Sequence, residues 1–250
     1  MISDTNISRW RERADRSLEI LAKRLGDFDS PKPDAQGLNM LSLTYASVGY
    51  AHVAASDFSG ARTAFSNAVL AMNRVYDLIT SGHAAANGYD RSGNFQILLM
   101  AHATGDSDLI SSFLRRFTIT PVAVAAGPDD STYFASTCIA LSAGDIEVAA
   151  SHLAEHRPNI DPLFFGYDQC LTSITKRDKE AFVTTLCTAA SSWHSYATRQ
   201  FEGLPRSACF LDGVGLLHLA RKVLGDAALT AGSPYIPESL IMTPQTNKVG

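Results

Sequence analysis

The sequence predicts an all-α fold, an irregular helical-hairpin solenoid or bundle with an extended C-terminal segment. Three observations predict it. Apolar residues recur every three or four positions nearly throughout, without sustained strand alternation. Four aspartates, Asp57, Asp106, Asp145 and Asp178, each open one template, with stripe positions four, eight and eleven residues further on. Gly105 and Gly144 directly precede two of them, where a left-handed turn would end the previous helix.

The first element is a helix: Ile7, Trp10, Ala14, Leu18, Leu21 and Leu25 keep helical spacing, and Gly26 suits the cap. A loop with Pro31 and Pro33 comes next. Residues 38–55 and 58–79 then read as a hairpin turning at Ser56 and Asp57. In the template the aspartate is an N-cap, accepting from the orphan amides of the first turn. The stripe is Ala61, Phe65 and Ala68 in the first unit, and Ile110, Leu114 and Phe117 in the second. It is Ala149, Leu153 and His156 in the third, and Phe182, Leu186 and Ala189 in the fourth. Unequal spacing of the aspartates makes the array degenerate, with long inserts. Residues 81–93, with three glycines, and 117–129, with two prolines, are the irregular crossings. A last helix is expected over 205–224, stopped by Gly225, and Pro234 and Pro237 restrict the C-terminal segment to extended backbone. There Tyr235, Ile236 and Leu240 should pack across the final helices. The expectation is one domain over residues 1–250 with about ten helices and a frayed tail at 243–250.

Composition narrows the function classes. Charged residues are 18% of the chain and hydrophobic ones 46%, too apolar for long disordered tails. The net charge of -4, with Lys and Arg in no dense block, leaves no footprint for a nucleic-acid partner. The polar start lacks a secretory pattern and no apolar run has membrane-spanning length, so a cytoplasmic protein without membrane contact is expected. Cys138, Cys170, Cys187 and Cys209 form no CxxC pair and read as reduced thiols among apolar neighbours.

Chemistry is sparse. His152, Glu155 and His156 match the inverted zinc-peptidase spacing, in which two histidines one turn apart hold a metal. Arg157 and Pro158 end that helix at once, and packing already explains the segment, so neither a metal nor any cofactor is expected. No nucleophile elbow, phosphate loop or dinucleotide fingerprint occurs, and Gly213 and Gly215 lie within a helix, where small residues permit close packing. The expectation is a protein that is not an enzyme. Side chains of the types that anchor interfaces remain: Tyr89, Asp90 and Arg91 in the glycine-rich insert, Tyr167 and Asp168 after Gly166, and Tyr196 and Arg199 beyond the fourth stripe. Trp193 and Phe201 have the same character, or close the core.

Two resemblances carry expectations. Tyr45, Gly49, Ala61, Phe65 and Ala68 resemble the tetratricopeptide packing pattern, with His52 at its usual tyrosine position. The order Phe182, Leu186, Ala189, then Trp193, His194 and Tyr196, the helix 213–223, and the closing segment 233–241 resembles immunity proteins of the type called immunity protein 49. Thr243 onward replaces the Trp-Gly-rich tail of that type. This second resemblance implies a cytoplasmic antitoxin that binds and blocks a cognate toxin domain delivered between competing bacteria, without chemistry of its own. The first implies an adaptor binding a peptide in a concave groove lined by the first helices of adjacent repeats.

Overall fold

At each of the four aspartates the chain reverses through the same turn. The computed structural model describes residues 8–20 except 14 and 17, 35–82, 94–116, 130–155 and 166–241. The residue before the aspartate is left-handed in every case: Ser56 (φ 58°), Gly105 (φ 69°), Gly144 (φ 86°) and Arg177 (φ 55°). Its amide donates to the carbonyl three residues back, as in Ser56 to Val53 (2.9 Å) and Arg177 to Ile174 (3.0 Å). The carboxylate then accepts the amide three residues on, from Gly60 (2.9 Å), Leu109 (3.0 Å), Val148 (3.1 Å) and Ala181 (2.9 Å). One device closes one helix and caps the next.

These turns pair eight helices: α1 (Ala35–Ala54) with α2 (Phe58–Thr80), α3 (Asn94–Thr104) with α4 (Ser107–Arg116), α5 (Asp130–Ala143) with α6 (Ile146–Glu155), and α7 (Tyr167–Thr175) with α8 (Lys179–Gln200). Helical residues at 8–20 precede them, and no strand occurs among the described residues. The stripe faces inward, with Ala61, Phe65, Ala68, Ile110, Ala149, Phe182, Leu186 and Ala189 buried and Leu114 and Leu153 half-buried. Phe117 and His156 lie outside the described residues. In the first hairpin a Cβ on Gly49 would stand 2.4 Å from the Phe65 ring, so the glycine sets how closely α1 and α2 approach.

The hairpins stack in sequence: α2 packs on α3 and α4, α3 on α5, and α5 and α6 on α7. After α8 the expected long helix is two pieces, a 3₁₀ turn (Pro205–Ala208) and α9 (Leu211–Leu224), because Cys209 and Phe210 are extended or otherwise non-helical between them. The first piece packs on α1. The closing segment ends in a second 3₁₀ turn (Glu238–Leu240) that packs on α2, and Arg62 donates to the Ser239 carbonyl at 2.7 Å. Tyr235 does meet the final helices, its carbonyl accepting the Phe210 amide (2.7 Å) and its ring lying beside Trp193. The segment also reaches the first hairpin. One hydrophobic cluster runs from Leu38 to Ile241. Residues 243–250 lie outside the described residues, and no described helix is long and apolar enough to cross a membrane.

Candidate functional site

The first helices of hairpins two to four form an inner face, and α9 lies along it. Helix α9 packs most extensively on α3 and also meets α5, α7 and α8. Leu211, Gly213, Val214, Gly215, Leu216, Leu217, Leu219 and Ala220 are all buried. At the crossing with α3 a Cβ on Gly215 would stand 2.2 Å from the Leu99 carbonyl oxygen, so the two backbones touch. Gly213 gives similar room to the Phe210 ring. Both glycines serve close packing, as their place within a helix suggested.

Several polar groups in this interior pair with one another, although His194 Nδ1, stacked against Tyr235, is buried without a partner. The Tyr167 hydroxyl donates to Asp212 Oδ2 at 2.7 Å. Burial raises the Asp212 carboxyl above its ordinary range, against the lowering effects of that hydrogen bond and of Arg206. The Ser142 hydroxyl donates to the Cys138 carbonyl (2.7 Å) and lies 2.8 Å from His102 Nε2. With the hydroxyl proton so used, Nε2 donates to Ser142, and Nδ1 accepts from His218 Nδ1 at 3.2 Å. Burial lowers His102 to about 3, helped by the neighbouring His218 and Lys222. Burial likewise lowers His218 to about 4, helped by Lys222 and Arg221. Two neutral imidazoles and a buried hydroxyl therefore hold α3, α5 and α9 together. At the far end of α9, Arg221 donates to Glu238 Oε2, and Glu238 Oε1 accepts the Ala231 amide at 2.9 Å.

The residues singled out from sequence do not gather in one place. Tyr89, Asp90 and Arg91 lie outside the described residues. Tyr167 is a correction: it is 2% exposed, stacked on Phe210 and bonded to Asp212, because the first turn of α7 faces the interior. Its neighbour Asp168 is half-buried one position round the helix. Tyr196 is half-buried with its ring edge-on to Phe201 at 5.7 Å, and Arg199 is exposed, its Nε donating to the Ser195 carbonyl. Trp193 is core, stacked on Phe210 at 5.5 Å. His152 and Glu155 sit on the outer end of α6, and His156 lies outside the described residues. Among the described residues no three His, Cys, Asp or Glu side chains come together as metal ligands. Cys138, Cys170 and Cys209 are buried free thiols, and Cys187 is half-buried with Sγ 2.8 Å from the Ala231 carbonyl oxygen.

An outer groove of about 370 Å³ crosses α2 between α1 and α4. Its walls include Leu41 and Tyr45 from α1, Leu70, Asn73 and Arg74 from α2, and Arg116 from α4. Asn73 is 4% exposed, yet neither its Oδ1 nor its Nδ2 has a hydrogen-bond partner. Each buried unpaired polar group costs about 1–3 kcal/mol, so an apolar residue of the same size would serve the fold better. Arg116 is fixed at the rim, donating to Asp77 Oδ1 (2.7 Å) and Ser112 Oγ (2.8 Å). Sequence reading missed this groove, because an asparagine in an amphipathic helix is indistinguishable from a solvated one.

Set against known proteins, the chain matches no family model, and no curated protein or solved structure is significantly similar to it.

Proposed function

We propose that this chain is a cytoplasmic immunity protein, binding a cognate toxin domain and neutralising it by contact, without catalysis or cofactor. The observation that carries the reading is the seat of α9. A helical-hairpin array offers a partner its concave face first, and here the chain's own helix fills that face with backbone-to-backbone contact at Gly215. Its ionisable and hydroxyl groups are spent on one another, in the Tyr167–Asp212 and Ser142–His102–His218 pairings. A partner is left with the outer surface, where α1, α2 and α4 form a groove and Arg199 and Tyr196 mark the end of α8. The segments behind the immunity-protein resemblance are structural: Trp193 and Tyr235 close the core around Phe210.

The tetratricopeptide-like adaptor is the second reading, favoured by the four capped turns and by the Gly49–Phe65 contact. As an adaptor, too, the chain would have to work from its outer face. The deciding experiment is co-expression with the toxin encoded beside the gene. Protection of the cells and a complex that survives gel filtration are expected; unprotected cells and no complex overturn the immunity reading.

A further inference from the structure

We infer that the outward face of α1 is a contact between two copies of this chain, packed antiparallel about a two-fold axis level with the Leu41–Ser42 bond. Helix α1 runs for 20 residues without an Asp, Glu, Lys or Arg. Its outward stripe is Gln36, Met40, Leu43 and Ser47, all exposed, with Met40 at 47% and Leu43 at 53%. Spacings of four, three and four are those of the seam between paired helices. The hairpin buries Leu38, Ser42, Gly49 and Val53 away from this stripe. Arg11 of the preceding helix meets α1 at His52, half a turn round from Leu43.

This face can lose its water without orphaning the hydroxyls beside its apolar side chains. Thr44 Oγ1 already donates to the Met40 carbonyl (2.8 Å), and Ser47 Oγ to the Leu43 carbonyl (3.0 Å). A second copy is the occupant that the pattern fits. In antiparallel packing about that axis Met40 lies against the partner's Leu43, and Gln36 against the partner's Ser47, whose hydroxyl oxygen can still accept. The apolar pairs fall in the centre and the polar pairs at the ends. A chain of net charge -4 repels its own copies, and a charge-free face is where two of them meet without opposing like charges. The same face has no charge with which to select an oppositely charged partner. One helix across, the contact is narrow, so the dimer is reversible rather than permanent. It concerns the chain alone and stands or falls apart from the immunity reading.

The test is sedimentation velocity of the full chain from about 1 μM to about 500 μM. The weight-average mass should rise with concentration from the monomer's 26.9 kDa towards twice that value. Leu43→Asp should raise the dissociation constant about tenfold or more and leave the melting temperature unchanged, because the position is exposed. Should Leu43→Asp not fold, Ser47→Arg, which sets a cation in the same seam, takes its place. The register is tested by Met40→Glu and Leu43→Lys, singly and in one chain. Antiparallel packing opposes the two new charges across the axis, so the double variant should regain the association that each single variant loses; parallel packing would oppose like charges. A mass that stays at the monomer value throughout, a dimer indifferent to these substitutions, or a double variant that remains monomeric overturns the proposal.

Discussion

The inner and outer faces of the helical array treat polar groups in opposite ways. On the inner face, buried Tyr167, Ser142 and His102 each have a partner and α9 covers them. On the outer face, Asn73 is 4% exposed, more buried than Ser142, and has none. The difference separates two uses of burial. Satisfied polar groups in a closed interior fix how helices cross, whereas a buried unsatisfied one only costs stability.

Breaking the inner face should have the largest effect. Gly215→Val drives a side chain into the Leu99 carbonyl and pries α9 from α3; a loss of about 3 kcal/mol or more in urea denaturation is expected. Next comes the clasp at the end of α9. Glu238→Ala leaves Arg221 Nη2 and the Ala231 amide without their acceptor, while Arg221 Nε keeps the Leu229 carbonyl, and should cost about 2 kcal/mol by the same measurement.

Acid should act on the inner face through its histidines. The folded values of His102 and His218 lie below the ordinary 6.5, so the unfolded chain binds more protons as pH falls. Their contribution to stability is full above that value and is lost progressively as pH drops towards about 4 for His218 and about 3 for His102. The slope is at most about 1.4 kcal/mol per pH unit for each ring. His218→Gln should flatten it between pH ~6.5 and ~5, a window above most carboxylate titration. An unchanged slope would mean that the rings are hydrated.

Sharpening the contrast takes smaller effects. Asn73→Leu removes the outer orphan and should leave stability unchanged or raise it by about 1 kcal/mol, the reverse of any inner-face truncation. Smaller still, Arg177→Gly relieves a left-handed non-glycine residue and should shift the thermal midpoint by a fraction of the effect of Gly215→Val.

Much of the fold was legible because its turns obey local rules. An aspartate cap and a left-handed glycine are written in adjacent residues, and the four caps stand where the spacing placed them. Ser56 and Arg177 adopt the same geometry without glycine, so their turns were visible only through the aspartate beside each. Gly225 and Asp226 repeat the pair once more, with the Asp226 amide bonded to Arg221 and its carboxylate to Ala228, although the residues directly after them, 227–231, form no helix. Long-range placement was not legible. The seat of α9 depends on α3, over a hundred residues away, and a continuous apolar helix does not say what it packs against. Tyr167 has the residue type of an interface anchor, but helical phase decides which way it faces, and it faces inward. Asn73 left no mark in the sequence, since its distinction is a missing partner in three dimensions.

Hydrogen exchange of the α9 amides, residues Leu211 to Leu224, tests the central claim most directly. If the chain's own helix is a permanent part of the interior, its slowest amides exchange only through global unfolding, with the same free energy as those of α3, with or without a bound partner. Exchange of α9 by a local opening well below the global value would make it a displaceable plug and open the inner face to a partner.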